Sequence, residues 1–192
     1  VGPGVLIPRP DSETLIEAAL SHFAGGGPER VLDLGTGPGT LLLAALAEWP
    51  GAAGVGVDVS DAALGYARAN AAALGMADRV DFRQGDWGEG LDGPFDLILC
   101  NPPYIGDDEV LMPDVAGFEP ARALFAGADG LDDYRRIIPD LPRLLAPGGT
   151  AILEIGHRQR ISVTELAEAA GFAVACKQDL GGRDRALLLT RP

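Results

Sequence analysis

Apolar positions in this chain fall into short runs separated by stretches of helical spacing. Runs near 31–34, 54–58, 80–84 and 96–100 are too short for helices and end in Gly, Pro, Asp or Asn, so they read as strands. Between them, residues 40–48 and 61–73 carry helical patterns. Asp11 or Ser12 is placed to cap an earlier helix running to about Phe23, where Gly25-Gly-Gly-Pro28 breaks it. Downstream, Leu131 to Leu145 predicts a helix, Thr150 to Glu154 a fifth strand and Ile161 to Ala170 another helix. Phe172 to Cys176 and Arg185 to Leu189 then form a closing pair of strands. Alternation of this kind predicts an α/β fold, a doubly wound and mostly parallel sheet of these seven strands. Residues 102–130, rich in Pro, Gly and Asp, are long for a connector and predict a loop or lid over the site. No repeat, linker or second domain is visible, so residues 1–192 read as one domain, with 1–28 as an N-terminal segment and helix.

In open parallel sheets ligands bind beyond the carboxyl ends of the strands, and the chemistry-bearing residues gather there. The strand at 31–34 runs into Gly35-Thr-Gly-Pro-Gly39 and then into a helix. Glycines allow a tight turn and close approach of backbone to ligand, and the helix N-terminus adds partial positive charge. Asp58, nineteen residues after Gly39, closes the next strand, where a carboxylate can accept both hydroxyls of an adenosine ribose. A nicotinamide dinucleotide would fit that spacing too, but Thr40 stands where its fingerprint wants a third Gly or Ala. Asp33 suits a cofactor with a cationic amino-acid end. A purely structural turn would also explain the glycines taken alone.

The strand at 96–100 ends in Asn101-Pro-Pro-Tyr104. Proline pushes Asn101 toward extended backbone, and Pro102 and Pro103 take the chain sharply out of the sheet. The Asn101 carboxamide and the Pro102 carbonyl can then accept both hydrogens of one substrate NH2 group, with Tyr104 offering a flat face. A plain strand end is the competing reading.

Composition narrows the partners. With 15 basic and 28 acidic residues the net charge is −13, and no run of Lys or Arg interleaves with aromatics. Nucleic-acid binding leans on phosphate neutralisation, so this chain reads as a poor clamp for nucleic acid. The chain, 47% hydrophobic over 192 residues, can build a full core. Its longest apolar stretch is far below the ~20 residues that span a bilayer. No secretory leader is recognisable, which predicts a cytoplasmic protein without a membrane partner. Cys100 and Cys176 lie in strand-like runs as thiols rather than a disulfide, and no metal-ligand spacing occurs.

Asp33-Leu-Gly-Thr-Gly-Pro-Gly39 with Asp58 resembles the S-adenosylmethionine site of class I methyltransferases, which have a Rossmann-like fold. Asn101-Pro-Pro-Tyr104 resembles the motif of amino-methyltransferases acting on adenine N6 or glutamine N5. Val5-Leu-Ile-Pro-Arg-Pro-Asp-Ser-Glu13 is similar to the opening of the catalytic domain in release-factor glutamine methyltransferases. Phe118-Glu-Pro120, Ala123-Leu124, Gly127-Ala-Asp-Gly-Leu131, Tyr134-Arg135, Glu154-Ile-Gly156 with Gln159, and Asp179-Leu-Gly-Gly-Arg183 follow that family in order. Its members usually carry a helical domain before this point, thought to help engage the release factor, whereas this sequence begins at Val1. The resemblance implies S-adenosylmethionine as cofactor, held by Asp33, Gly35, Thr36, Gly37, Gly39, Asp58, Asp86, Trp87 and Asn101. It implies methyl transfer to a glutamine N5 in the Gly-Gly-Gln motif of a peptide-chain release factor, with Asn101, Pro102 and Tyr104 as catalytic residues. Substrate contacts would fall to Arg9, Glu13, Pro103, Tyr104 and Glu119. Two other readings stay open: an adenine-N6 or small-substrate amino-methyltransferase, and a non-catalytic module that binds cofactor or partner.

Overall fold

The computed structural model describes residues 2, 4–109 and 120–191. In chain order its elements are α1 (Glu13–His22), β1 (Arg30–Leu34), α2 (Thr40–Glu48), β2 (Ala53–Asp58), α3 (Asp61–Ala73), β3 (Val80–Gln84) and β4 (Phe95–Cys100). They continue with α4 (Asp132–Ile137), α5 (Leu141–Leu144), β5 (Leu145–Glu154), α6 (Arg160–Ala169), β6 (Ala173–Gln178) and β7 (Asp184–Thr190). The strands form one seven-stranded sheet in the order β3-β2-β1-β4-β5-β7-β6. Neighbours from β3 to β5 pair in parallel, while β7 is antiparallel to β5 and β6.

Strand parity decides what meets at the carboxyl end. Side chains alternate between the faces of a strand. Val31, Leu97, Leu99 and Ile152 therefore pack with Leu15, Leu42 and Leu64 from α1, α2 and α3. Leu32, Leu34, Ile98, Cys100 and Leu153 pack on the other face with Tyr134 of α4, Leu141 of α5 and Val163 of α6. Asp33 and Glu154 share the parity of the α1–α3 face, and Asn101 continues it one residue past β4. Register completes the arrangement, since Leu34 lies beside Cys100 and Cys100 beside Leu153. Three polar side chains thus occupy the upper rim of an otherwise apolar layer.

Close packing beneath the rim is tight at Gly56 in β2. A Cβ there would lie 2.7 Å from the Phe82 ring and 2.9 Å from Thr36 Oγ1. Gly56→Ala is expected to cost about 1–3 kcal/mol by overpacking, read as a lower urea midpoint at unchanged m-value.

Two predicted elements differ from the structure. The single helix expected over 131–145 is broken into α4, a 3-10 turn over Ile138–Asp140, and α5. Pro139 and Pro142 each remove a backbone donor and disfavour helix in the residue before them. The fifth strand begins at Leu145 rather than Thr150, because Leu145 pairs with Phe95 before a register shift restores Leu97 opposite Thr150. Neither Asp11 nor Ser12 caps α1: a 3-10 turn over Pro10–Ser12 leads into it, and Ser12 makes no side-chain cap hydrogen bond. Cys100 is buried, Cys176 is half-buried, and both are free thiols. Among the described residues no helix is long and apolar enough to cross a membrane.

Candidate functional site

The turn after β1 is shaped by Gly35 and Gly37, at φ 69° and 54°. Side chains rarely tolerate that region, and a Cβ at Gly35 would sit 3.0 Å from the Trp87 ring. Asp58 ties this turn to the end of β2. Its Oδ2 accepts from Gly37 N and its Oδ1 from Ser60 N, each at 2.8 Å. Gly39, at the N-cap of α2, faces elsewhere: a Cβ there would meet Ala67 and Leu43 at 3.3 Å.

Asp33 occupies a position that parity assigns to the core. Its Oδ2 accepts from Thr36 Oγ1 at 2.7 Å and from Leu42 N at 3.3 Å. Its Oδ1 is buried without a hydrogen-bond partner among the described residues. Burial pushes the carboxyl up to about 7; the Thr36 and Leu42 hydrogen bonds oppose the rise and the charge of Asp58 adds to it. A buried acceptor without a donor is costly, and a cationic ligand group at the turn would satisfy it.

These groups open into one cavity of about 380 Å³. Its lining takes Asp33, Gly35, Thr36, Gly37 and Asp58 from β1, β2 and the turn after β1, Asp86 and Trp87 from the turn after β3, and Asn101 and Pro103 from the exit of β4. Trp87 is the single non-glycine residue with positive φ among those described. Its indole donates to Asp133 Oδ1 at 3.1 Å, and its ring packs against the core as well as lining the cavity. Asp86 accepts from Arg136 Nη2 at 2.7 Å.

At the end wall Asn101 Nδ2 donates to Ser12 Oγ at 3.1 Å, and Ser12 Oγ donates to Glu154 Oε2 at 2.5 Å. Tyr104 Oη donates to Glu154 Oε1 at 3.4 Å. Burial and the neighbouring Glu154 push the Tyr104 hydroxyl up to about 12, so it stays protonated. Gln159 clamps this corner from behind, donating from Nε2 to the carbonyls of Tyr104 (2.9 Å) and Gly130 (3.1 Å).

Of the expected site residues, nine therefore share the cavity wall: Asp33, Gly35, Thr36, Gly37, Asp58, Asp86, Trp87, Asn101 and Pro103. Gly39, Pro102 and Tyr104 adjoin lining residues in sequence without lining the cavity themselves. Arg9 is half-buried beside the wall, its carbonyl accepting from Ser12 N at 3.1 Å, and Glu13 is exposed at the start of α1. Glu119 lies outside the described residues, as do residues 110–119 of the expected lid as a whole. The described legs of that loop are drawn together, with Ile105 N donating to Leu124 O and Ala126 N to Ile105 O, each at 2.9 Å. Ser12, Glu154, Arg122, Asp133 and Arg136 escaped assignment from the sequence. For Glu154 a clue was present: it ends an apolar strand with a carboxylate, as Asp58 does and Asp33 nearly does.

The methyltransferase domain family matches residues 27–173. A release factor glutamine methyltransferase of Rhodospirillum rubrum is 49% identical, over all of this chain and 59% of its own length. One from Xylella fastidiosa is 45% identical, over 96% of this chain and 68% of its own. The crystal structure of a release factor-specific protein-(glutamine-N5) methyltransferase from Alicyclobacillus acidocaldarius superposes with a TM-score of 0.58 at 33% identity. That match covers 100% of this chain and 98% of the other. The chain thus spans about three fifths of the first relative's length, but identity at this level over its whole extent decides its kinship. It belongs to the release factor glutamine methyltransferase family.

Proposed function

We propose that this chain transfers a methyl group from S-adenosylmethionine to the side-chain N5 of a protein glutamine, in the Gly-Gly-Gln motif of a peptide-chain release factor. The observation that carries this reading is the meeting of Asn101 with Asp33 and Asp58 on one cavity wall. Nucleotide-type and amide-type recognition are thereby within reach of each other. The residues present fit the cofactor. The orphaned Asp33 Oδ1 suits its ammonium, Asp58 its ribose, and the Trp87 ring its adenine. When bound, S-adenosylmethionine supplies an electrophilic methyl group on a sulfonium.

An amide nitrogen is a weak nucleophile because its lone pair is delocalised, so the protein must contribute through placement. Asn101 Oδ1 and the Pro102 carbonyl accept the two N–H groups of the substrate amide and fix the nitrogen at the cavity end. Positioning of this kind supplies up to roughly 7–11 kcal/mol in the best intramolecular cases. Pro103 and Tyr104 stiffen the corner and exclude water. Arg9, Glu13 and Glu119 remain candidates for contacts with the release factor. A translation factor as substrate implies the cytoplasm as the working compartment.

Two results test this reading. Label from S-adenosylmethionine should appear on an isolated release factor and not on a DNA duplex offered in parallel; the reverse pattern would make the chain a nucleic-acid methyltransferase. Cofactor binding should also alter tryptophan emission through Trp87, since Trp49 packs on Phe23 at the opposite end of the strands. Trp87→Phe should abolish that change, and its survival would remove Trp87 from the cofactor site.

A further inference from the structure

The NH2 and oxygen ends of an asparagine carboxamide differ only by a flip about one bond, yet only the oxygen can receive a substrate N–H. Something must choose the end. Glu154 is 1% exposed, and as a carboxylate it can only accept. Ser12 has a single hydroxyl proton and places it on Glu154 Oε2 at 2.5 Å. Toward Asn101 the Ser12 oxygen is then an acceptor, and it takes the Asn101 Nδ2 hydrogen at 3.1 Å. The Asn101 oxygen is left turned to the cavity.

Resting on the reading of Asn101 given above, we propose that Ser12 and Glu154 are positioning residues that set the polarity of the Asn101 amide. The polarity is conditional on charge. A protonated Glu154 can donate to Ser12, Ser12 can then donate to Asn101, and the amide presents its NH2 to an incoming N–H. The groups around Glu154 bear on that balance. Burial favours the protonated form and Asp11 adds to it, while the Ser12 hydrogen bond, the charge of Arg185 and the Tyr104 hydrogen bond oppose it. Arg185 is itself anchored by the Ile155 carbonyl at 3.2 Å and Asp11 at 3.1 Å. Tyr134, whose hydroxyl donates to the Glu154 backbone carbonyl at 2.7 Å, and Cys100 are buried and stay protonated.

The test compares Ser12→Ala, Ser12→Thr and Glu154→Gln with the wild type at saturating S-adenosylmethionine, using a release factor as substrate. Ser12→Ala should lower kcat about tenfold or more, the scale of an amide left without its partner, with cofactor Kd and substrate KM little changed. Ser12→Thr should recover most of the loss. Glu154→Gln should remove the acid limb of the wild-type kcat profile. A wild-type kcat in Ser12→Ala, or a Ser12→Thr as slow as Ser12→Ala, would overturn the assignment. An arm independent of substrate uses nitrogen-15 spectra, with the Asn101 side-chain NH2 pair assigned by its loss in Asn101→Asp. That pair should be well resolved and slow to exchange in the wild type and Ser12→Thr, and averaged in Ser12→Ala. An unaltered pair in Ser12→Ala defeats the positioning role. The expected spectra in a wild type that methylates no release factor would uphold it and reject the functional reading instead.

Discussion

Asn101→Ala will reduce methyl transfer to a release factor by about a hundredfold or more and leave the affinity for S-adenosylmethionine nearly unchanged. The asymmetry follows from where the side chain sits. Asn101 lines the cavity from just past β4, whereas Asp33, the glycine turn and Asp58, the proposed cofactor grip, come from β1, β2 and the turn between β1 and α2. Truncation removes the acceptor that holds the substrate nitrogen, and it frees Ser12 Oγ from its bond to Nδ2. Displacement of a reacting atom by about 1 Å suffices for a loss of this size. Single-turnover transfer and calorimetric titration of the cofactor separate the two quantities. A variant that transfers normally would show that Asn101 is only a strand end, and one that loses cofactor affinity as well would place it in the cofactor grip.

Affinity for S-adenosylmethionine will fall as pH drops below about 7. Without ligand the Asp33 carboxyl titrates at about 7, far above its ordinary 3.8, because it is buried. A cationic ammonium beside Oδ1 favours the ionised form, so binding below that pH must expel one proton. The dissociation constant should therefore approach a tenfold rise per pH unit below about 7 and level off above it. Stability of the free protein runs the other way. Its folded state binds the Asp33 proton more tightly than the unfolded chain does, so this group erodes stability as pH climbs from about 4 to 7. Asp33→Asn, which keeps an oxygen for Thr36 and Leu42 but cannot ionise, should bind more weakly with a flat profile across pH 6 to 8. Proton release measured in two buffers of different ionisation enthalpy checks the sign; uptake instead of release would refute it.

Much of this arrangement was readable from local sequence because each part is a short-range consequence of residue type. Gly35 and Gly37 permit one tight turn, Pro102 and Pro103 force an exit from β4, and strand–helix alternation predicts a parallel sheet. Strand parity would even have predicted that Asp33 and Glu154 share a face. What could not be read was the partnership across the fold. Ser12 and Glu154 are 142 residues apart and meet only because β5 lies beside β4 in a fixed register while the segment before α1 crosses above them. Ser12 carried an obvious local meaning, a helix cap, and the tertiary partner displaced it. The break in the predicted helix over 131–145 was visible in principle in Pro139 and Pro142, but its apolar spacing masked them. Arg136 and Asp133 likewise read as an ordinary helix surface until α4 is seen to border the cavity.

The most direct measurement is peptide mass spectrometry of a release factor incubated with the wild-type protein and S-adenosylmethionine, beside a factor whose Gly-Gly-Gln glutamine is alanine. The expected result is a mass gain of one methylene, mapped by fragmentation to that glutamine side chain and missing from the alanine variant. A methyl group on any other residue, or on both factors equally, would contradict it.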